Sequence, residues 1–372
     1  MLDRAQRLKR KRSEKCKVEG GKENQSRVTW FFHFSLDTFH LGCVTKSHDL
    51  QGFDCYSDLI VTQASAPSIP GYSIQHKLGT GRMAVVYLAT DSKKRQIALK
   101  IPKPETLQDA TLAKMFANEI ALSRGLEHPR IVFCYDGIAT GANAHLAMRY
   151  IQGNPLDQLD LGPEAALKVL ADVASALEYI HGRKIVHQDI KPGNIFVASG
   201  HGYLADFGAA INETNPGQPA GSPFYMAPEL YTGEHGTSKS DAYSFGILAY
   251  EQLTMMRPIV GESYEQLQAA HLARVPAPIR SVNPEIPKAL ASLIDRSLSK
   301  NPMHRPTMNQ FRAELEAMSG PDPEAAKAKA KAPVVMPVGR SSGEPVQRRV
   351  EASAMRAKEE KGGFFSRMFK KK

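Results

Sequence analysis

The chain has 372 residues, of which 42% are hydrophobic and 23% charged, a composition that suits one large folded domain or two average ones. The net charge of +10 comes from the ends, because residues 1–69 carry eleven basic and eight acidic side chains and residues 320–372 carry thirteen and six. The region between them is neutral, which argues against a dedicated nucleic-acid-binding face on the fold.

The cysteines and the apolar runs bear on the compartment. The four cysteines form no C-x-x-C pair, so the sequence predicts neither a zinc site nor a disulfide framework. They are Cys16, Cys43, Cys55 and Cys134. No run of about 18 apolar residues is present, so we expect no membrane-spanning helix. Residues 28–36 resemble a signal peptide only weakly, because they include His33 and precede Asp37. We therefore expect a cytoplasmic protein.

The two ends differ from the middle in composition. Residues 1–69 lack periodicity and include a basic run at 7–12; we expect a disordered extension, the alternative being a nucleic-acid or localisation patch. Residues 320–372 are rich in Ala, Lys and Pro and are predicted to be a disordered basic tail. Its end, 362–372, combines phenylalanines with lysines, which is typical of peripheral membrane contact. A solvated tail or a docking peptide is the alternative.

The middle region, residues 70–319, contains the regular elements. Apolar and β-branched runs predict strands at 72–78, 85–89 and 96–101. Helical spacing of apolar residues predicts helices at 112–126 and 164–181, and the patterns after Asp241 are almost all helical. A strand-rich part followed by a helix-rich part predicts an α+β arrangement of two lobes.

A glycine-rich turn joins the first two predicted strands. Gly79 and Gly81 let backbone amides approach phosphate oxygens closely. A strand follows the turn, whereas a dinucleotide fold has a helix there, so that fold is disfavoured. Lys100 ends the third strand, 21 residues after Gly79, and Glu119 lies on the next predicted helix. Neither residue alone is specific; their order and spacing carry the signal.

The strongest motif is the run His-Gln-Asp-Ile-Lys-Pro-Gly-Asn at 187–194. Asp206-Phe207-Gly208 begins 17 residues after Asp189. Two carboxylates and an amide at this spacing suit phosphoryl transfer, in which one carboxylate accepts a hydroxyl proton and the others hold Mg²⁺.

In this order the motifs resemble the bacterial eukaryotic-like (Hanks-type) serine/threonine protein kinases over about residues 72–318. The compact activation segment and the sequence Tyr-Leu-Ala-Thr at 87–90 resemble bacterial members. The resemblance implies a small antiparallel β-sheet N-lobe with one main helix and a larger, mainly helical C-lobe. It also implies transfer of the ATP γ-phosphate, with Mg²⁺, to protein Ser/Thr hydroxyls, and it admits phosphorylation of the chain itself.

The resemblance assigns roles residue by residue. Asp189 is the implied catalytic base, Lys191 lies by the transferred phosphate, and Lys100 pairs with Glu119. The implied Mg²⁺ ligands are Asn194 and Asp206. The implied nucleotide-binding residues are Leu78, Gly79, Thr80, Gly81, Ala84, Val86, Ala98, Lys100, Glu119, Met148, Ile151 and Phe196. Of these, Met148 is the gatekeeper, Ile151 belongs to the hinge, and Val86, Ala98 and Phe196 flank the adenine, although ordinary core positions are equally consistent with them.

The resemblance also covers the activation segment, which runs from Asp206 to Glu229. Residues 221–229 match the part that receives a polypeptide. Glu229 is expected to pair with Arg305, and Asp241 to brace the loop around Asp189.

Three residues depart from the family pattern. Arg149 replaces the usual acidic residue of the hinge, where backbone groups read the adenine. Ala84 replaces the third glycine of the phosphate loop, and Gln188 replaces the arginine that binds an activation-segment phosphate. A neutral amide forms no charge-assisted pair with phosphate, and Thr214 is the only hydroxyl residue in 209–220. We therefore expect weak dependence on activation-segment phosphorylation.

Two other functional classes compete with an active protein kinase. A pseudokinase scaffold is disfavoured because Lys100, Asp189 and Asp206 are all present. A small-molecule kinase is disfavoured because residues 221–229 match a polypeptide-receiving segment. The expected partners are protein substrates, with no nucleic acid, and the expected location is cytoplasmic. Contact of 362–372 with a membrane surface or a docking partner is an alternative to a solvated tail.

Overall fold

The computed structural model describes residues 67–215, residues 217–325 and residue 327. The predictions for the basic run at 7–12 and for the tail end at 362–372 lie outside the described residues and stay predictions.

The first half is built on a five-stranded antiparallel sheet with the strand order β1-β2-β3-β5-β4. Its strands are β1 (Tyr72–Thr80), β2 (Ala84–Asp91), β3 (Gln96–Pro102), β4 (Cys134–Ile138) and β5 (His145–Arg149). The three predicted strands are confirmed as β1 to β3, each slightly longer than expected. Alternating side chains give this sheet two faces, because successive residues of a strand point to opposite sides.

The two faces form separate cores. Ile97 and Leu99 of β3 pack with Ala89 and Ala147 on one face. The other face carries Lys100 and packs through Leu146 against the main helix of this half. The helices here are α1 (Pro104–Gln108) and α2 (Ala110–Ser123). The sheet thus presents Lys100 to α2, the helix that carries Glu119.

The helix α2 begins and ends through local effects. The Asp109 carboxylate caps it by accepting from the N–H groups of Thr111 and Leu112 at 2.8 and 2.9 Å. The prediction that this helix continues to residue 126 is wrong. The last turn tightens into i→i+3 bonds near Gly125, a poor helix former, and Leu126 instead joins the core of the second half.

The second half is mainly helical. Its helices are α3 (Pro163–His181), α4 (Pro228–Tyr231), α5 (Ser238–Thr254), α6 (Tyr264–Ala273), α7 (Ile279–Val282), α8 (Lys288–Ser297) and α9 (Met308–Ser319). One small sheet has the order β6-β8-β9, with β6 (Asn154–Pro155), β8 (Ile195–Ala198) and β9 (His201–Leu204). A second pairs β7 (Ile185–Val186) with β10 (Ile211–Asn212). Among the described residues, every regular element after Asp241 is a helix, as the sequence predicts.

The core of this half surrounds α3 and α5. The predicted helix at 164–181 is confirmed as α3, which starts one residue earlier because Pro163 suits the first helical position. In α5, Tyr243 and Phe245 are fully buried, and Phe245 meets Phe311 of α9 edge to face. The short loops next to α5 are therefore attached to a rigid base.

A buried arginine extends the fold beyond α9. Arg130 is 2% exposed, and its Nε lies 3.1 Å from an Asp172 oxygen and 2.6 Å from an Asp322 oxygen. Ala325 is also buried. Contacts in the described part of the chain therefore pass the predicted boundary at residue 319 by several residues. None of the described helices is long and apolar enough to span a bilayer.

Candidate active site

A lysine and two carboxylates lie between the two halves of the fold. Lys100 Nζ donates to both oxygens of Glu119, at 2.7 and 2.9 Å, and to Asp206 Oδ1 at 2.8 Å. Because Asp206 follows β9, this single ammonium joins the sheet, helix α2 and the start of the activation segment. Three residues that the sequence assigns to nucleotide and metal are thus together.

Burial and the charges of the neighbouring groups shift the pKa values of all three residues in this cluster. The Lys100 ammonium lowers the pKa of Asp206 well below its usual range. Burial alone would lower the pKa of Lys100, but the charges of Asp206 and Glu119 raise it, so the lysine stays charged. Burial, opposed by Lys100 and reinforced by Asp206, raises the pKa of Glu119 to about 7. One ammonium is therefore shared by two carboxylates, an arrangement that suits the binding of a further cation.

The second group of the site surrounds Asp189. Ser222 Oγ donates to Asp189 Oδ1 at 2.7 Å, and Lys191 Nζ lies 2.9 Å from Asp189 Oδ2. Lys191 also donates to Ser222 Oγ at 2.8 Å, so a carboxylate, an ammonium and a hydroxyl form a closed triangle. Sequence reasoning did not single out Ser222. Its only signal is its place between Gly221 and Pro223, at the start of the segment that the sequence predicts to receive a polypeptide.

Asn194 completes this group and fits the predicted cation. Its Nδ2 donates to the Asp189 carbonyl at 2.8 Å and to Asp189 Oδ2 at 2.9 Å. Both amide hydrogens are thereby used, which leaves Oδ1 as the side-chain atom that can accept a cation. No group of three or more His, Cys, Asp or Glu that could hold a metal occurs in the described ranges. Mg²⁺ held by one or two protein oxygens plus phosphates fits this donor set.

The loop that carries Asp189 is fixed by Asp241 of α5. The two Asp241 oxygens accept from the backbone N–H groups of His187 and Gln188 at 2.8 and 2.9 Å. His181 Nε2 lies 2.8 Å from one of the same oxygens. Gln188 and Asp206 both have a positive φ, near 60°, which non-glycine residues rarely adopt. Such backbone persists where the surrounding structure holds it, as Asp241 holds Gln188 here.

The Gln188 side chain does not take part in this network. It is 2% exposed, and both polar atoms of its amide lack a hydrogen-bond partner among the described residues. It packs against Gly236, where an added Cβ would fall 2.1 Å from Gln188 Nε2. No cationic side chain therefore stands at this position beneath the activation segment.

The glycine-rich turn and the sheet supply the remaining predicted residues. Gly81 N–H donates to the Ala84 carbonyl at 2.8 Å, which closes the turn. Val86 pairs with Lys100, and Ala98 pairs with Met148, so these side chains share the sheet face that carries the lysine. The other predicted nucleotide contacts from this half are Leu78, which is 40% exposed, Gly79 and Thr80, all on β1.

Two predicted adenine contacts come from outside the five-stranded sheet. Ile151 is buried just after β5, and Phe196 is half-buried on β8, opposite Tyr203. Their nucleotide-binding roles, like those of the other predicted site residues, stay predictions.

The end of the activation segment is tied to the helical core. Glu229 and Arg305 form a bidentate pair, with Nη1–Oε1 at 2.6 Å and Nη2–Oε2 at 2.8 Å. Burial opposes the ionisation of Glu229, but Arg305 lowers its pKa. Ser240 Oγ adds a bond of 2.7 Å to Glu229 Oε1. The segment that begins with Ser222 is therefore anchored at its far end.

Comparison with known proteins agrees with this geometry. A family model described as the protein kinase domain matches residues 72–314. The chain is 34% identical over 248 residues to serine/threonine-protein kinase PrkC of Bacillus subtilis, covering 63% of this chain and 38% of the relative. It is 34% identical over 247 residues to serine/threonine-protein kinase PknD of Mycobacterium tuberculosis, covering 63% and 37%. For serine/threonine-protein kinase PknB of Mycobacterium leprae, the identity is 31% over 275 residues, covering 69% and 44%. The chain thus spans about two fifths of the length of these relatives.

Proposed function

Because this chain belongs to the protein kinase family, we propose that it is a serine/threonine protein kinase that transfers the ATP γ-phosphate to protein hydroxyls. The observation that carries the proposal is the triangle of Asp189, Lys191 and Ser222 beside Asn194. A carboxylate with a neighbouring ammonium is what a hydroxyl acceptor and a transferring phosphate require.

The proposed acceptor chemistry is centred on Asp189. Its carboxylate orients the substrate hydroxyl and takes up the proton as that oxygen bonds to the γ-phosphorus, whose bond to the bridging oxygen breaks so that ADP leaves. Ser222 and Asn194 hold the carboxylate in place, and the Lys191 charge opposes the negative charge of the transferring group. Asp189 thus both positions the substrate hydroxyl and accepts its proton.

The proposed nucleotide chemistry is centred on Lys100. Its ammonium binds the phosphates of ATP while Glu119 fixes its position from α2. Bound Mg²⁺ would neutralise phosphate charge, and Asp206 and Asn194 are the residues that would hold it. The adenine would lie against Val86 and Ala98 on the lysine-bearing face of the sheet, with Met148, Ile151 and Phe196 around it.

We further propose that activity depends only weakly on phosphorylation of the activation segment. The Gln188 side chain is neutral, buried and packed against Gly236, so it offers no charge to a phosphate. Proteins are the proposed substrates, and the chain itself is included among them.

The competing classes are separated by the same site. A scaffold that does not transfer phosphate has no need of a base held within 3 Å of Ser222 and Lys191. A small-molecule kinase has no need of the Glu229–Arg305 anchor on a polypeptide-receiving segment.

The test is transfer of labelled γ-phosphate from ATP with Mg²⁺, to the chain itself and to a generic basic protein. We expect label on Ser or Thr with wild type and a loss of at least about a thousandfold with Asp189→Asn, at unchanged ATP affinity. Asp160→Asn, an exposed carboxylate outside the site, is the matched control and is expected to behave as wild type. If the folded wild type binds ATP but transfers nothing, the scaffold class takes the place of the kinase.

A further inference from the structure

The activation segment carries a carboxylate that fastens it to the helical core. Glu213 directly follows β10, and its backbone N–H donates to the Lys184 carbonyl at 2.8 Å. Its Oε1 accepts a bond of 2.8 Å from the backbone N–H of Ser238, the first residue of α5. Its Oε2 lies 3.9 Å from Lys184 Nζ. One side chain therefore joins the segment to α5 and to the residue before β7.

The site suits a negative charge. The first N–H groups of a helix have no partner within the helix, and the aligned peptide dipoles make that end positive. α5 is 17 residues long, and the Glu213 side chain is only 24% exposed, so solvent screens the interaction incompletely. A carboxylate at this place stabilises the segment without the need for a charge added by modification.

Residues 209–220, the part of the segment that contains Glu213, carry no second charged side chain that could hold it in this way. Glu213 is the only charged residue in 209–220, and Thr214 is the only hydroxyl. The Thr214 hydroxyl is already used, because it donates to Asn212 Oδ1 at 2.6 Å. The neutral, buried Gln188 adds no cation. The charge that holds this part of the segment is therefore built into the sequence.

We propose that Glu213 is a positioning residue that keeps the activation segment in its substrate-receiving conformation without modification, and that negative charge at Thr214 disrupts it. The inference rests on the proposed kinase activity. A charged group at Thr214 stands next to Glu213 in the chain, so like charges repel and weaken the bond between the Glu213 carboxylate and the Ser238 N–H.

The kinetic test uses Glu213→Ala, Glu213→Gln and two matched variants of Thr214. Glu213→Ala is expected to raise the KM for a protein acceptor about tenfold, as the loss of one charge-assisted bond predicts. Glu213→Gln, which keeps an acceptor oxygen, falls between it and wild type. The KM for ATP stays unchanged, because the Lys100 cluster is not touched. Thr214→Ala behaves as wild type, whereas Thr214→Glu raises the acceptor KM.

A second readout does not need activity. Hydrogen exchange at the Ser238 amide is slow in wild type and becomes faster in Glu213→Ala if the carboxylate holds it. An unchanged acceptor KM in Glu213→Ala, an unchanged Ser238 exchange rate, or loss of activity in Thr214→Ala each overturns the inference. If the wild type transfers no phosphate, the proposed function fails, while the exchange experiment alone still decides whether Glu213 holds the segment.

Discussion

Replacing Arg305 with alanine is expected to destabilise the fold by about 3–5 kcal/mol, the usual cost of removing one partner of a buried ion pair. The side chains of Arg305 and Glu229 are 0% and 7% exposed, so water screens the pair little. Without the guanidinium, Glu229 keeps only the Ser240 bond to its carboxylate among its strong partners. The Ser299 carbonyl, which accepts from Arg305 Nε at 2.9 Å, also loses its donor. The loss is a large part of the total stability of a typical domain.

Urea unfolding followed by circular dichroism measures this cost. Arg305→Lys keeps the charge but not the two-pronged geometry, and is expected to lose about half as much. The control is Arg124→Ala, because Arg124 and Asp136 form a pair in which both side chains are 53% exposed, and such pairs contribute roughly 0–1 kcal/mol. If Arg305→Ala costs no more than Arg124→Ala, the reasoning that burial makes this pair decisive is refuted. Arg305→Lys decides the question should the alanine variant not fold.

Two further predictions concern pH and the tail. Burial, and then the neighbouring Lys300 charge, lower the pKa of His271 to about 4, in a site where its ring also faces Tyr231 and Tyr243. Between pH 6.5 and 4 this histidine takes up a proton in the unfolded chain but not in the folded chain. The free energy of unfolding therefore falls by up to about 1.4 kcal/mol for each unit by which the pH is lowered. From pH 7.5 to 5, wild type should lose about 2 kcal/mol more than His271→Gln in urea unfolding, and equal losses would contradict the assignment. Deleting residues 362–372 should reduce co-sedimentation with anionic vesicles, and unchanged recovery would remove the predicted membrane contact.

The kinase motifs could be recognised from sequence because the chemistry of phosphoryl transfer restricts both residue type and order. Lys100 and Glu119 lie on a strand and a helix with clear periodicity, so their pairing follows once the elements are placed. Ser222 and Glu213 could not be predicted. Their side chains reach their partners from irregular backbone, whose path is set by tertiary packing and not by local propensity.

Contacts between residues that are far apart in the sequence could not be predicted either. Arg130 and Asp322 are 192 residues apart, and neither belongs to a periodic pattern. Leu126 gave a helical signal because it is apolar, but its burial belongs to the other half of the fold. In both cases a residue's partner lies beyond any window in which sequence periodicity carries information.

The first turn of α5 is where these unpredicted contacts converge, and this explains how the site keeps its geometry. Ser238 N–H holds Glu213 of the activation segment, Ser240 Oγ holds Glu229 at its end, and Asp241 holds the loop that carries Asp189. These three residues occupy one turn of a helix whose body is buried in the core. A displacement of that turn would move the loop of Asp189, the segment around Glu213 and the Glu229 anchor together, so their separations are preserved. The helix therefore keeps these segments at fixed distances from one another, and phosphoryl transfer depends more on that geometry than on any one contact.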